Sequence, residues 1–118
     1  MQQNNPYNIQ FHSLQMGNDL AMTITGGASH IGAVATAYFD SDLIKVAMQE
    51  LPHHKEGLLA KECAQALAKE LNCTVTVLMG IHIDNATKEQ IEDIIYYVRA
   101  HLQKLIKNPN NILLRSSK

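Results

Sequence analysis

Apolar and polar residues alternate along the first half of the chain. In the second half, apolar residues recur every three or four positions. From Tyr7 to Met16 the side chains of Tyr7, Ile9 and Phe11 point one way and those of Asn8, Gln10 and His12 the other. The phase then slips to Leu14 and Met16, which predicts a bulge. Gly17-Asn18-Asp19 turns the chain into a second strand, Leu20 to Thr25, with Leu20, Met22 and Ile24 on one face. Gly26-Gly27-Ala28-Ser29 leads to a third strand, His30 to Phe39. Asp40-Ser41-Asp42 leads to a fourth, Leu43 to Leu51, with Ile44, Val46 and Met48 inward. Connections this short predict antiparallel hairpins.

After Pro52 the period changes from two to about 3.6. Leu59, Cys63, Ala66, Leu67 and Leu71 mark one stripe of a helix from about Lys55 to Leu71. Cys73 to Ile83 predicts a fifth strand, with Cys73, Val75, Val77, Met79 and Ile81 on its core face. Thr87 opens a second helix, and Gln90 three residues on completes a capping box. Its stripe of Ile91, Ile94, Ile95, Val98, Leu102, Leu105 and Ile106 ends at Asn108-Pro109. The expectation is one α+β domain over residues 1–118: a mostly antiparallel five-stranded sheet with two helices on one face. Residues 1–6 and 110–118 are expected to be loose, although Ile112-Leu113-Leu114 has the character to dock.

Composition narrows the partners. At 46% hydrophobic and 18% charged, the 118-residue chain suits a packed core. A formal net charge of −1 with no basic stripe argues against nucleic acid. No apolar run approaches the roughly 20 residues that span a bilayer. The polar start, MQQNNPYNIQ, lacks the apolar core of a signal peptide. Two cysteines in apolar contexts read as buried free thiols, so a cytoplasmic protein is expected.

Connectivity brings the chemistry together. In a hairpin turning at Asp40 to Asp42, His30 lies beside Leu51 and Pro52. A helix of about 25 Å then returns the chain so that strand five runs parallel to strand four. The segments Thr25 to Gly32, Pro52 to Glu56 and Gly80 to Thr87 should therefore converge at one sheet edge. Both helices begin there, with unpaired N–H groups and a partial positive charge. Gly26-Gly27 permits close backbone approach. His30, His53, His54, Lys55 and His82 cluster in these loops, which hold four of the six histidines. Singly, such features are ordinarily structural: Gly-Gly is a turn and a strand-end histidine is a satisfied one. Jointly they suit an anionic ligand carrying phosphate or carboxylate.

The motifs TITGGASHIGAVA (Thr23 to Ala35), LPHHKE (Leu51 to Glu56) and GIHIDNAT (Gly80 to Thr87) resemble the LpdD-like family. These are small accessory proteins of the UbiD-type hydroxyarylic acid decarboxylases. The three occur in order and cover the body of the chain. One departure is His53, where the family pattern favours Gly. The resemblance implies a homodimer with a fold like the proteasome-assembly chaperones. It also implies a chaperone, not an enzyme, that holds reduced prenylated flavin mononucleotide and delivers it to an apo UbiD-type decarboxylase. On that reading the cofactor-binding candidates are Thr25, Gly26, Gly27, His30, Gly32, His54, Lys55, His82, Asp84 and Asn85. The glycine turn and helix N-termini would take the phosphate, Lys55 and the histidines would face an anionic ring, and Asp84 and Asn85 the ribityl hydroxyls.

Two rivals remain open on the residues alone. His82 and Asp84, two apart on one strand, with His30 and His54 would make a zinc-type enzyme site, although no compact ligand motif such as HExxH occurs. Alternatively the loops form a protein-binding surface of a ligand-free scaffold or decarboxylase subunit. No nucleophile motif is present, and no lysine sits in an apolar run as a Schiff-base lysine would. The sheet face away from the helices carries Thr74, Thr76, Leu78, Lys45, Ala47, Gln49, Ala21, Thr23 and Thr25. Small residues of this kind suit close sheet-to-sheet packing with a second copy.

Overall fold

The computed structural model describes residues 5–113. Five strands form one sheet: β1 (Gln10–Met16), β2 (Asp19–Gly27), β3 (Ala33–Asp40), β4 (Leu43–Glu50) and β5 (Val75–His82). Helix α1 (Gly57–Leu71) joins β4 to β5, α2 (Lys88–Lys107) follows β5, and α3 (Asn110–Leu113) is a single turn. The strand order is β1-β2-β5-β3-β4. β5 pairs parallel with β2; the other three pairings are antiparallel. The architecture is thus a mostly antiparallel α+β sheet with its two long helices on one face.

That order changes two expectations. β2 and β3 are not a hairpin, because β5 inserts between them and pairs with both. β5 does run in the direction of β4, but β3 separates the two and its parallel partner is β2. The physical reason lies in the burial pattern. Val75, Val77 and Met79 are fully buried, and a strand this apolar on its helix-facing side belongs at the centre of the sheet. β4, with an exposed Met48, is left at the edge.

The bulge expected in β1 is absent. Gln10 to Met16 pairs residue for residue with Thr25 to Asp19. Phe11, Ser13 and Gln15 lie on the helix side, so Leu14 and Met16 fall on the open face, more than half exposed. The strand itself starts at Gln10, and Ile9 is buried just before it, its N–H and carbonyl both bonded to the Asn5 side chain.

The core is one cluster between sheet and helices. Leu20, Met22 and Ile24 from β2, Ala33, Ala35 and Ala37 from β3, and Val75, Val77 and Met79 from β5 face the helices. From α1 come Ala60, Cys63, Ala64, Leu67 and Ala68, and from α2 Ile94, Val98 and Leu102. The alanines on α1 and β3 let that helix sit close over β3, β4 and β5. α2 covers the β1 side, where His101 packs on Phe11 with ring centroids 4.5 Å apart. The capping box at Thr87 and Gln90 forms as the sequence predicts. Ile112 does dock: it is buried, and its carbonyl accepts from Ser13 Oγ at 3.4 Å. Residues 1–4 and 114–118, including Leu114, lie outside the described residues. No described helix is long and apolar enough to cross a membrane.

Candidate functional site

The three loop segments meet at the edge where β5 ends. Ala28 N–H donates to the His82 carbonyl at 2.9 Å, and Leu51 N–H to the Gly32 carbonyl at 2.9 Å. Ile81 N–H donates to Glu56 Oε2 at 2.9 Å. Glycines make the crossings possible. A Cβ on Gly80 would collide with the backbone carbonyl of His30, so residues 28–32 lie directly across β5 there. Gly27 has φ +59, and a Cβ there would strike the His82 carbonyl. The close approach that the glycine turn permits is therefore made to the neighbouring strand. A Cβ on Gly32 would meet the Glu56 carboxylate.

These contacts gather the histidines. The His30 ring lies 4.4 Å from that of His54 and 5.4 Å from that of His82, centroid to centroid. His82 Nε2 and Asp84 Oδ1 are 2.9 Å apart. His54 Nδ1 lies 3.9 Å from Glu56 Oε1. Both ring nitrogens of His30 and Glu56 Oε1 are buried without a hydrogen-bond partner among the described residues. The tight group of metal-capable ligand atoms is His30, His54 and Glu56, all within 4.8 Å of one another. His82 and Asp84 are not in it.

Beside the cluster, the two helices leave a cavity of about 470 Å³, within the range of small-molecule and cofactor sites. Met79, Ile81 and Ile83 line it from β5 and its extension, Leu58 and Leu59 from α1, and Ile91, Ile94 and Ile95 from α2. His53, His54, Lys55, Glu56 and His82 form its polar part, with Glu62 and Arg99 opposite. Arg99 is committed to Glu62 by two hydrogen bonds of 2.9 Å, which hold its guanidinium above the usual arginine range. Lys55 has no ion-pair partner among the described residues. The cavity explains why the apolar stripe of α2 exceeds the core: Ile91 is 47% exposed because it faces this space.

Of the residues singled out from sequence, His54, Lys55 and His82 line the cavity. His30 stands behind them in the ring cluster, and Gly32 makes room for Glu56. Thr25 lies on the open sheet face opposite Gly80. Gly26 and Gly27 pack against Tyr7, Ile9 and the β5 end, Asp84 holds His82, and Asn85 takes a left-handed turn at φ 52. Neither helix start is bare. The α1 entry has Glu50 on Gly57 N–H at 2.8 Å, and the α2 start is closed by its capping box. Glu56 escaped sequence reasoning as a site residue, although it closes the LPHHKE motif, as did the isoleucines that read simply as core. His53 sits at φ 67, a left-handed conformation that explains why glycine suits that position.

Neither cysteine resembles an activated nucleophile. Burial, and secondarily Glu62, pushes the Cys63 thiol up to about 12, and burial also raises Cys73, with Asp19 adding to it. Both remain thiols at neutral pH and are free.

Comparison with known families matches residues 3–110 to one described as the prenylated flavin chaperone LpdD-like domain. Among curated proteins the chain is similar to Protein LpdD of Lactiplantibacillus plantarum, at 30% identity over 88 residues. That alignment covers 72% of this chain and 65% of the relative, so the chain spans just under two thirds of the relative's length. Because the family match takes in both the histidine cluster and the cavity, with nearly all of the fold around them, the chain belongs to the prenylated flavin chaperone LpdD-like family.

Proposed function

We propose that this protein is a carrier of reduced prenylated flavin mononucleotide that delivers its cargo to an apo UbiD-type decarboxylase and performs no chemistry itself. The observation that carries this reading is the cavity between α1, α2 and β5, lined by apolar side chains from all three and carrying Lys55, Glu56 and three histidines at its polar end. A tricyclic ring needs such a slot, with few polar groups to orient it. Lys55, without an ion-pair partner among the described residues, is the cation available to a phosphate, and His54 and His82 are placed to donate to a reduced, anionic ring. Sealing the ring between Met79, Ile81, Ile91 and Ile95 would keep oxidant and water away while the cargo is in transit. The thiol character of Cys63 and Cys73 suits a reducing cytoplasm and gives no covalent hold on the flavin.

The same reading makes the protein a homodimer through its open face. Leu14, Met16 and Leu43 there are each more than 60% exposed, around a centre of Thr36, Thr76, Val34 and Leu78. The decisive experiment is purification without oxygen from a host that makes prenylated flavin. One prenylated flavin per chain, and tighter anaerobic binding of the reduced prenylated form than of oxidised FMN, is the expected result. Flavin-free protein, or equal affinity for both forms, would refute it.

A further inference from the structure

We propose that His30, His54 and Glu56 bind one divalent transition-metal ion of the zinc type at the wall of the cavity. Two imidazoles and a carboxylate are the donor set of a borderline ion. Magnesium and calcium take oxygen ligands instead. Each ligand comes from a different constraint. His30 is carried across β5 at Gly80, His54 comes from the loop after β4, and Glu56 is the residue on which α1 begins. Their donor atoms already lie within 4.8 Å of one another, and His54 Nδ1 is 3.9 Å from Glu56 Oε1. Tetrahedral bonds of about 2.0–2.1 Å place ligand atoms roughly 3.4 Å apart, so side-chain rotation suffices to close the set.

The independent observation is the unmet polarity. Neutral imidazole presents one donor and one acceptor, yet both His30 nitrogens are buried without a hydrogen-bond partner among the described residues, as is Glu56 Oε1. Buried polar atoms are almost always satisfied, and leaving several together uncompensated is costly. A cation accepts a lone pair from His30 and from Glu56 at once. The rest of the carboxylate is already oriented, because Glu56 Oε2 takes the Ile81 N–H, the kind of outer support that metal ligands require. Three protein ligands leave a further coordination position. His54 and Glu56 both line the cavity, so an anionic group bound there has direct access to the ion. Metal binding stands apart from the flavin reading, since it is measured with the ion alone.

The test uses the full chain without a histidine tag, stripped with chelator and reloaded with Zn²⁺ or Co²⁺. One zinc per chain surviving dialysis is expected, with affinity falling about tenfold or more in His30→Gln and in Glu56→Gln. His12→Gln, on the open face, should be without effect. Co²⁺ loading of the unmutated protein should give the intense visible bands of a tetrahedral site, a readout that does not depend on the variants folding. No retained metal, weak octahedral cobalt bands, or uptake that His30→Gln and Glu56→Gln leave unchanged would overturn the proposal.

Discussion

Replacing Gly80 by alanine puts a single methyl group at the point where two segments of backbone cross. Gly80 is not among the residues with positive φ, so alanine suffers no backbone strain there. Through the unfolded state it would even stabilise by about 0.4–1 kcal/mol. Against that, the new Cβ overlaps the His30 carbonyl and stands 3.2 Å from the His30 nitrogen. These atoms cannot swing aside as a side chain would. The segment is pinned on both sides of the contact, by Ala28 N–H on the His82 carbonyl at 2.9 Å and Gly32 N–H on the Met79 carbonyl at 2.8 Å. Overpacking costs about 1–3 kcal/mol, and each hydrogen bond lost adds about 0.5–1.5 kcal/mol. The net expectation is a loss of about 2–3 kcal/mol in urea denaturation analysed by linear extrapolation. The His30 ring should leave its place against His54, visible as a changed histidine spectrum in NMR. Gly17→Ala is the control: nothing lies within 4 Å of a Cβ there, and only its φ of +62 is unfavourable, for about 1–2 kcal/mol. Gly80→Ala within about 0.5 kcal/mol of the unmutated protein would refute the crossing and the gathering of histidines that follows from it.

Three further outcomes are expected. His53→Gly relieves a left-handed residue at φ 67, worth about 1–2 kcal/mol, against about 0.5–1 kcal/mol of glycine entropy; the urea midpoint should rise, and a fall would place the strain elsewhere. Burial, and then Lys104, holds His101 below its ordinary 6.5, so the unfolded chain takes up this proton first as the pH falls. Stability should therefore decline as pH drops through about 6.5 and level off below the folded-state value. His101→Phe, keeping the ring contact with Phe11, should flatten that part of the pH profile; an identical slope in both proteins would exclude His101 as its source. Thr76→Lys places a charge at the centre of the open face, where the Thr76 and Thr36 hydroxyls now share a 2.8 Å hydrogen bond. Light scattering at micromolar concentration should show dimer for the unmutated protein and a shift toward monomer for the variant.

Much of the fold was legible because burial in this chain is one-sided. The alternation of β5 and the 3.6 period of both helices placed Val75, Val77, Met79, Ile94, Val98 and Leu102 in the core before any coordinates. The capping box at Thr87 and Gln90 could be read from two residues. Strand order was not legible. Short loops favour hairpins locally, but the most apolar strand outcompetes β2 for β3 and enters between them, a tertiary effect that no local window contains. The slip at Leu14 misled for a related reason: Leu14 and Met16 alternate on the open face as apolar residues do in a core, although both are exposed. At the site, the gathering of His30, His54 and His82 followed from connectivity. The roles of the glycines did not, since Gly27 and Gly80 accommodate the protein's own backbone. Glu56 was hidden because a carboxylate before a helix reads as a dipole partner, and the cavity because its isoleucines read as core.

The central claim is that flavin occupies the cavity between the helices. Ile91 lines that cavity while remaining 47% exposed, so Ile91→Trp fills the space with little demand on the core. Anaerobic titration of reduced prenylated flavin mononucleotide into this variant, with far-UV dichroism to verify its fold, is the most direct measurement. A folded Ile91→Trp should bind about tenfold or more weakly than the unmutated protein, as steric overpacking of 1.4 kcal/mol or more requires. Undiminished affinity in the folded variant would contradict the account and move the cargo to another surface of the protein.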